Sequence, residues 1–146
     1  LLKEVRDPGT GEVISRVEPE ILHESSIPQE TWRLVQSYMR YTVTNGSARN
    51  TLSANRVAFA GKTGTGEVAQ YTDRWHSWYV AYGPYDAPPE ETVVVCVLVE
   101  AVNVWEWWAT YAASIIMQGI FTNQTYDQAL DALGYRFLVT PQGRRE

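Results

Sequence analysis

Ala60-Gly61-Lys62-Thr63-Gly64-Thr65-Gly66-Glu67 is the stretch that decides how this chain reads. It continues the alternating apolar run Val57-Ala58-Phe59, so it belongs to a β-strand rather than a free loop. A strand ending this way offers one cation, two hydroxyls and backbone N–H groups along one short edge. Such groups hold a carboxylate and stabilise an oxyanion during acyl transfer. Strand alternation puts Lys62, Gly64 and Gly66 on one face and Thr63 and Thr65 on the other. Lys62 makes its face attractive to an anionic substrate, and Gly64 leaves room there for another element or a substrate backbone.

Other readings of a lysine among glycines fail on spacing. A phosphate loop needs G-x-x-x-x-G-K-[ST]. Gly61-Lys62-Thr63 matches its end, but Arg56 occupies the first glycine position. Glycines at 61, 64 and 66 do not make the dinucleotide pattern G-x-G-x-x-G either. A glycine-rich strand end that marks only a bulge or a close backbone approach is the reading without chemistry. The elements on both sides decide against it.

Downstream come His76-Ser77-Trp78-Tyr79-Val80-Ala81-Tyr82-Gly83 and Thr92-Val93-Val94-Val95-Cys96-Val97-Leu98-Val99-Glu100. Upstream, Arg6-Asp7-Pro8-Gly9-Thr10-Gly11-Glu12-Val13 is followed by a helix opening with Pro28-Gln29-Glu30-Thr31-Trp32. This succession resembles the C-terminal segment of the transpeptidase domain of class B penicillin-binding proteins of the elongation type. Lys62-Thr63-Gly64 is similar to their K-T-G box. The resemblance runs over residues 1–100 and more weakly to 120, and rests on five features in the right order. It implies an α/β (α+β) fold: an antiparallel sheet flanked by helices, the C-terminal part of the β-lactamase/transpeptidase-like fold. Residues 1–146 then form one segment of such a domain.

Local signals give the elements. Residues 1–18 read as a hairpin whose turn is Asp7-Pro8-Gly9-Thr10-Gly11. A helix over 28–45 has Ser26 and Gln29 as a capping box and Pro28 in its first turn. Trp32, Val35, Tyr38, Met39 and Thr42 share one face, and Asn45-Gly46 ends it. Residues 47–55 are polar and loop-like. A three-stranded meander spans 56–100, with strands near 56–68, 75–83 and 92–100. The last is apolar on both sides and is expected to be central, covered on both faces, with Cys96 a small buried hydrophobe. A helix over 104–120 carries Val104, Trp107, Trp108, Tyr111 and Ile115 as a stripe against the sheet. The glycine-rich link usual before it in the family is replaced by Ala101-Val102-Asn103. A short helix at 126–133 ends at Gly134, and 141–146 reads as a tail.

Composition bounds the function. Hydrophobic residues make up 45% of the 146, with six Trp and nine Tyr, which is a globular composition. A net charge of −5 with no basic run before Arg144-Arg145 argues against a nucleic-acid surface. Cys96 is the single cysteine, so no internal disulfide forms, and His23 and His76 lie in no metal-ligand spacing. No cofactor is expected. No signal peptide is visible, and the apolar run 102–121 is interrupted by Asn103, Glu106 and Gln118, which disfavours a membrane span.

The nucleophile of the resembled family is absent from these residues. Lys3 and Lys62 are the only lysines, and position 59, three before Lys62, is Phe. An S-x-x-K motif therefore cannot be written, and there is no G-x-S-x-G elbow. Ser53-Ala54-Asn55 spells S-x-N but sits on the approach to the motif strand itself, and reads as a loop. The resemblance implies catalytic roles for Lys62 and Thr65. Lys62 bonds toward the S-x-N serine, Thr63, Gly64 and Thr65 border the substrate carboxylate, and the Thr65 N–H is one oxyanion donor. His76 is expected to line the cleft rather than to act as a base, and Tyr71, Asp73, Arg74 and Trp75 to shape access.

The resemblance thus implies penicillin binding and D,D-transpeptidation in the complete protein, with this chain supplying the K-T-G wall and not the nucleophile. Its partners would be peptidoglycan stem peptides ending in D-Ala-D-Ala, β-lactams, and the upstream part of the domain carrying S-x-x-K and S-x-N. It implies a place in the cell envelope, on the periplasmic face of the cytoplasmic membrane, with membrane contact only through an N-terminal anchor outside this sequence. Two alternatives stay open: a non-catalytic β-lactam sensor or interaction module, and part of a serine β-lactamase or D,D-carboxypeptidase. The Arg6–Val13 hairpin and the helix opening at Pro28 count against the last.

Overall fold

Asp7 organises the first element. Its Oδ1 accepts the N–H groups of Gly9 and Thr10, each at 2.8 Å, and these bonds hold its carboxyl below the usual carboxylate range. Gly11 follows with φ of 75°, a left-handed conformation that glycine adopts without strain. The turn joins β1 (Glu4–Arg6) to β2 (Val13–Arg16) as an antiparallel pair. A computed structural model describes residues 2–69, 73–102 and 108–139 of the chain.

Helix α1 runs over Gln29–Thr44. The expected capping box does not form. Pro28 is itself the N-cap, its carbonyl accepting from Thr31 and Trp32, so Ser26 lies two residues too early to reach the first turn. Ser25 Oγ instead accepts the N–H of Ile27. The exit is as expected, with Asn45 and Gly46 both donating to Tyr41 O. A side chain at Gly46 would strike the backbone of Thr42. Of the expected apolar face, Trp32, Val35 and Tyr38 are exposed and Met39 and Thr42 half-buried; full burial begins at Val43. One turn of helix, α2 (Arg49–Leu52), stands where the sequence reads as loop. A single turn has little stability of its own; burial of Thr51 and Leu52 supplies it.

The sheet is an antiparallel meander of β3 (Ala60–Glu67), β4 (Trp75–Gly83) and β5 (Val93–Val102), in the order β3-β4-β5. The expectation that the third strand is central is overturned. Two successive hairpin connections place the middle strand, β4, between the others. Among the described residues β5 is an edge, and only its Val95, Val97 and Val99 pack on the core. Val94, Leu98 and Cys96 are exposed, so Cys96 is not the buried hydrophobe that its apolar neighbours suggest.

Helix α3 (Trp108–Thr122) covers one face of the sheet. Val104 and Trp107 lie outside the described residues. The stripe that meets the sheet is Ala109, Ala113 and Met117, not Tyr111 and Ile115. Small side chains let the helix approach strands already carrying Tyr79 and three valines, while Tyr111 and Ile115 turn toward α4 (Tyr126–Leu133). Thr125 and Gln128 form a capping box, and Gly134, at φ 72°, ends α4 as expected. Beyond it the Tyr135 hydroxyl donates to Thr51 O, tying this end to α2. Arg136 pairs with Asp127 and Asp131 across α4 and holds the Asp131 carboxyl below its ordinary range. No helix among the described residues is long and apolar enough to cross a membrane, and the tail 141–146 lies outside them.

Candidate functional site

The register of β3 against β4 builds the site. Lys62 pairs with Val80, Thr63 with Tyr79, Gly64 with Trp78, Thr65 with Ser77 and Gly66 with His76. Directly paired residues share a face. Thr63 and Thr65 therefore lie with Tyr79 and Ser77, on the side of α3, and Ser77 Oγ accepts the N–H of Ala109 at 3.2 Å. Lys62, Gly64 and Gly66 lie with Val80, Trp78 and His76 on the opposite face. The division read from alternation holds.

Lys62 is exposed, and its Nζ donates to Thr63 O at 2.7 Å. The Thr63 hydroxyl sits 3.0 Å from Ser47 Oγ, in the turn after α1. The Thr65 side chain is exposed and makes no hydrogen bond among the described residues. Gly64 has a neighbour that sequence reasoning did not supply. A Cβ there would come within 3.2 Å of Trp78 Cβ, and one at Gly66 within 3.6 Å of Trp78 Nε1. The Trp78 indole thus spans the two glycines beside Lys62, and takes part of the room expected to be open.

Gly61 has a different task. Its missing side chain makes space for the ring and hydroxyl of Tyr79, which is fully buried. The Tyr79 hydroxyl has no hydrogen-bond partner among the described residues, and burial pushes its pKa well above the usual tyrosine value. Tyr79 thereby locks β3 against β4 just before Lys62. At the strand entrance, Arg40 Nη1 donates to Phe59 O at 2.6 Å, so α1 holds the other end.

The remaining expected residues are scattered. His76 is half-buried opposite Gly66, and Asp73 and Arg74 are exposed in the approach to β4. Tyr71 lies outside the described residues. Ser53 follows α2 and is exposed, while Asn55 is structural. Its Nδ2 donates to Ser114 O at 2.9 Å and its Oδ1 accepts from Ser114 Oγ at 2.8 Å. Neither belongs to the Lys62 edge. Ser47 and Trp78 are the residues that sequence reasoning missed at the site. Trp78 was recoverable from alternation once the β3–β4 register is known; Ser47 carries no local signal.

With this geometry in place, comparison with known proteins is decisive. The family model described as penicillin binding protein transpeptidase domain matches residues 1–126. The chain belongs to that family. It is 33% identical over 100 residues to penicillin-binding protein 2A of Bacillus subtilis (strain 168), covering 60% of this chain and 14% of that protein. Its fold is similar to that of penicillin-binding protein 2B from Streptococcus pneumoniae (strain R6), with a TM-score of 0.61, 21% identity, and coverage of 78% of this chain and 19% of that one. The transpeptidase-domain chain therefore spans less than a fifth of either relative. Its antiparallel sheet flanked by helices is the architecture of that domain.

Proposed function

We propose that this chain is the K-T-G wall of a class B penicillin-binding D,D-transpeptidase of the elongation type. The observation that carries the reading is the β3 edge: Lys62 on the uncovered face, and Thr65, whose exposed side chain makes no hydrogen bond among the described residues, two pairs before the strand ends. The reaction it serves is acyl transfer at the D-Ala-D-Ala carbonyl of a peptidoglycan stem peptide, with release of D-Ala and attack by a neighbouring amine. A β-lactam would acylate the same serine. That serine, in an S-x-x-K motif, comes from residues outside these 146.

The chain's own groups act by binding and charge. The Lys62 ammonium stabilises the negative charge gathered at the site, and its exposed position lets it leave Thr63 O for a hydroxyl on the facing wall. The Thr65 hydroxyl takes the substrate carboxylate and its N–H meets the developing oxyanion. The Thr63 hydroxyl reaches the same carboxylate by giving up its contact with Ser47. Preorganised donors of this kind are worth about 10²–10³ in rate apiece. The uncovered face of the sheet is where the upstream part of the domain would seat, and the cell envelope, facing the periplasm, is where the reaction would run.

Second-order acylation by a fluorescent penicillin, in a protein that also carries the S-x-x-K residues, tests the roles. Lys62→Ala should slow acylation by at least about 10², the scale of one preorganised electrostatic group. Thr65→Ala should weaken substrate capture more than acylation, because its N–H stays. His76→Ala should change the rate by less than about tenfold, as a residue of the wall outside the chemistry. A His76 effect as large as that of Lys62 would overturn the assignment.

A further inference from the structure

Charge is distributed unevenly along the chain. Residues 31–66 contain Arg33, Arg40, Arg49, Arg56 and Lys62 and no Asp or Glu, in a protein of net charge −5. All seventeen acids lie outside that segment. It folds into most of α1, α2 and β3, and a cleft of about 370 Å³ lies between the end of α1, Leu52 of α2 and the segment 53–58 that leads to β3. Arg40, Thr44, Ser53, Asn55 and Arg56 line it with a few apolar neighbours, and no carboxylate of the described residues does.

The two arginines differ in how they are held. Arg40 is fixed by its bond to Phe59 O at 2.6 Å and by the Tyr85 ring, whose centroid is 5.7 Å from its guanidinium carbon. A guanidinium has five N–H donors, and these contacts use few of them. Arg56 is exposed, and its side chain forms no ion pair among the described residues. Its backbone N–H is bonded to Gln118 Oε1 at 3.4 Å, which anchors the residue through its backbone. Two arginines on one cleft that no carboxylate of the described residues lines can give an anion charge-assisted hydrogen bonds.

We propose that the Arg40–Arg56 cleft is an anion-binding site, distinct from the Lys62 edge, that takes one carboxylate or phosphate group of a ligand. Residues 40–58 line it and none of residues 60–67 does, so it is not an extension of the motif strand. The volume admits the group and a few attached atoms. Occupancy bears on the site nonetheless, because Arg40 holds Phe59 O, three residues before Lys62. The inference stands apart from the transpeptidase reading, and its test uses no penicillin.

The test is calorimetric titration of the protein at low ionic strength with inorganic phosphate and, separately, with glutarate. Saturable one-to-one binding is expected for at least one of them, weakening as chloride is raised to roughly 0.3 M. The ligand bound more tightly identifies the source as phosphate-bearing or peptide-carboxylate. Arg56→Gln should weaken binding at least about tenfold while leaving the circular dichroism unchanged, since the exposed side chain makes no hydrogen bond or ion pair among the described residues. Arg33→Gln should leave the affinity within about twofold, as expected of an exposed charge outside the cleft. The absence of saturable binding for both ligands, or binding lost in Arg33→Gln and kept in Arg56→Gln, would overturn the site.

Discussion

The two faces of the β3-β4-β5 sheet come from alternate residues of the same strands and differ in almost everything else. One carries Gly61, Tyr79, Ala81, Val95 and Val97, closed by α3 through Ala109, Ala113 and Met117. The other carries Lys62, Gly64, Trp78, Val80, Cys96 and Leu98, all of them exposed, and is buried only at its Ala60–Tyr82 end. Trp78 is 41% exposed where Tyr79, one residue on, is at 0%. Apolar patterning says which residues can be buried; it does not say that the covering element lies within the same stretch of chain. The covered face fixes the geometry of β3, and the open face holds the exposed lysine of the K-T-G motif.

Four changes sharpen that contrast, starting with the covered face. Gly61→Val should cost about 3 kcal/mol or more, because the new side chain meets Tyr79 and the Val80 carbonyl where nothing can shift cheaply. Urea unfolding measures it, and a midpoint near that of the parent would show that Tyr79 has another place to go. Alkali should act on the same face. Burial raises the pKa of Tyr79 there; Tyr82, on the other face of β4, and Tyr135, beyond α4, are raised as well and add to the effect. Above about pH 10 the unfolded chain gives up these protons while the folded chain keeps them, so stability falls as pH rises through that value. Thermal midpoints between pH 8 and 11 would show the loss, and Tyr79→Phe should make it shallower.

At neutral pH, Tyr79→Phe should be neutral or stabilising by up to about 1 kcal/mol, since it removes a buried hydroxyl that has no partner among the described residues. A clear loss of stability would reveal a bond that Tyr79 makes in solution. On the open face, Leu98→Glu should shift folding stability by less than about 0.5 kcal/mol. It should also lower self-association in sedimentation, because exposed apolar surface on an edge-bearing sheet drives contact. Destabilisation comparable to that of Gly61→Val would mean that the two faces are equally packed.

Much of the fold was legible because its signals are local. Asp7 to Gly11 is turn chemistry, Asn45-Gly46 and Gly134 are helix stops, and Lys62 to Gly66 alternates in plain sight. Strand order was not, since Val93–Val102 looks like a central strand by composition and its place is set by connection lengths. The register of α3 was missed for a related reason. Tyr111 and Ile115 form the more hydrophobic stripe, but the sheet needs the smaller one, and which stripe faces it depends on the bulk of Tyr79 and the β5 valines. Of the site, Lys62, Thr63 and Thr65 were readable from the motif. Trp78 and Ser47 depend on cross-strand register and on where α1 ends.

The central claim is that these 146 residues supply the motif wall and not the acylated group. Intact-mass analysis after incubation with a labelled penicillin tests it most directly, first on the chain alone and then on a protein joining it to S-x-x-K residues. The account predicts no stable adduct on the chain alone and one drug equivalent, lost in Lys62→Ala at matched times, on the joined protein. A stable adduct of drug mass on the 146-residue chain would contradict it.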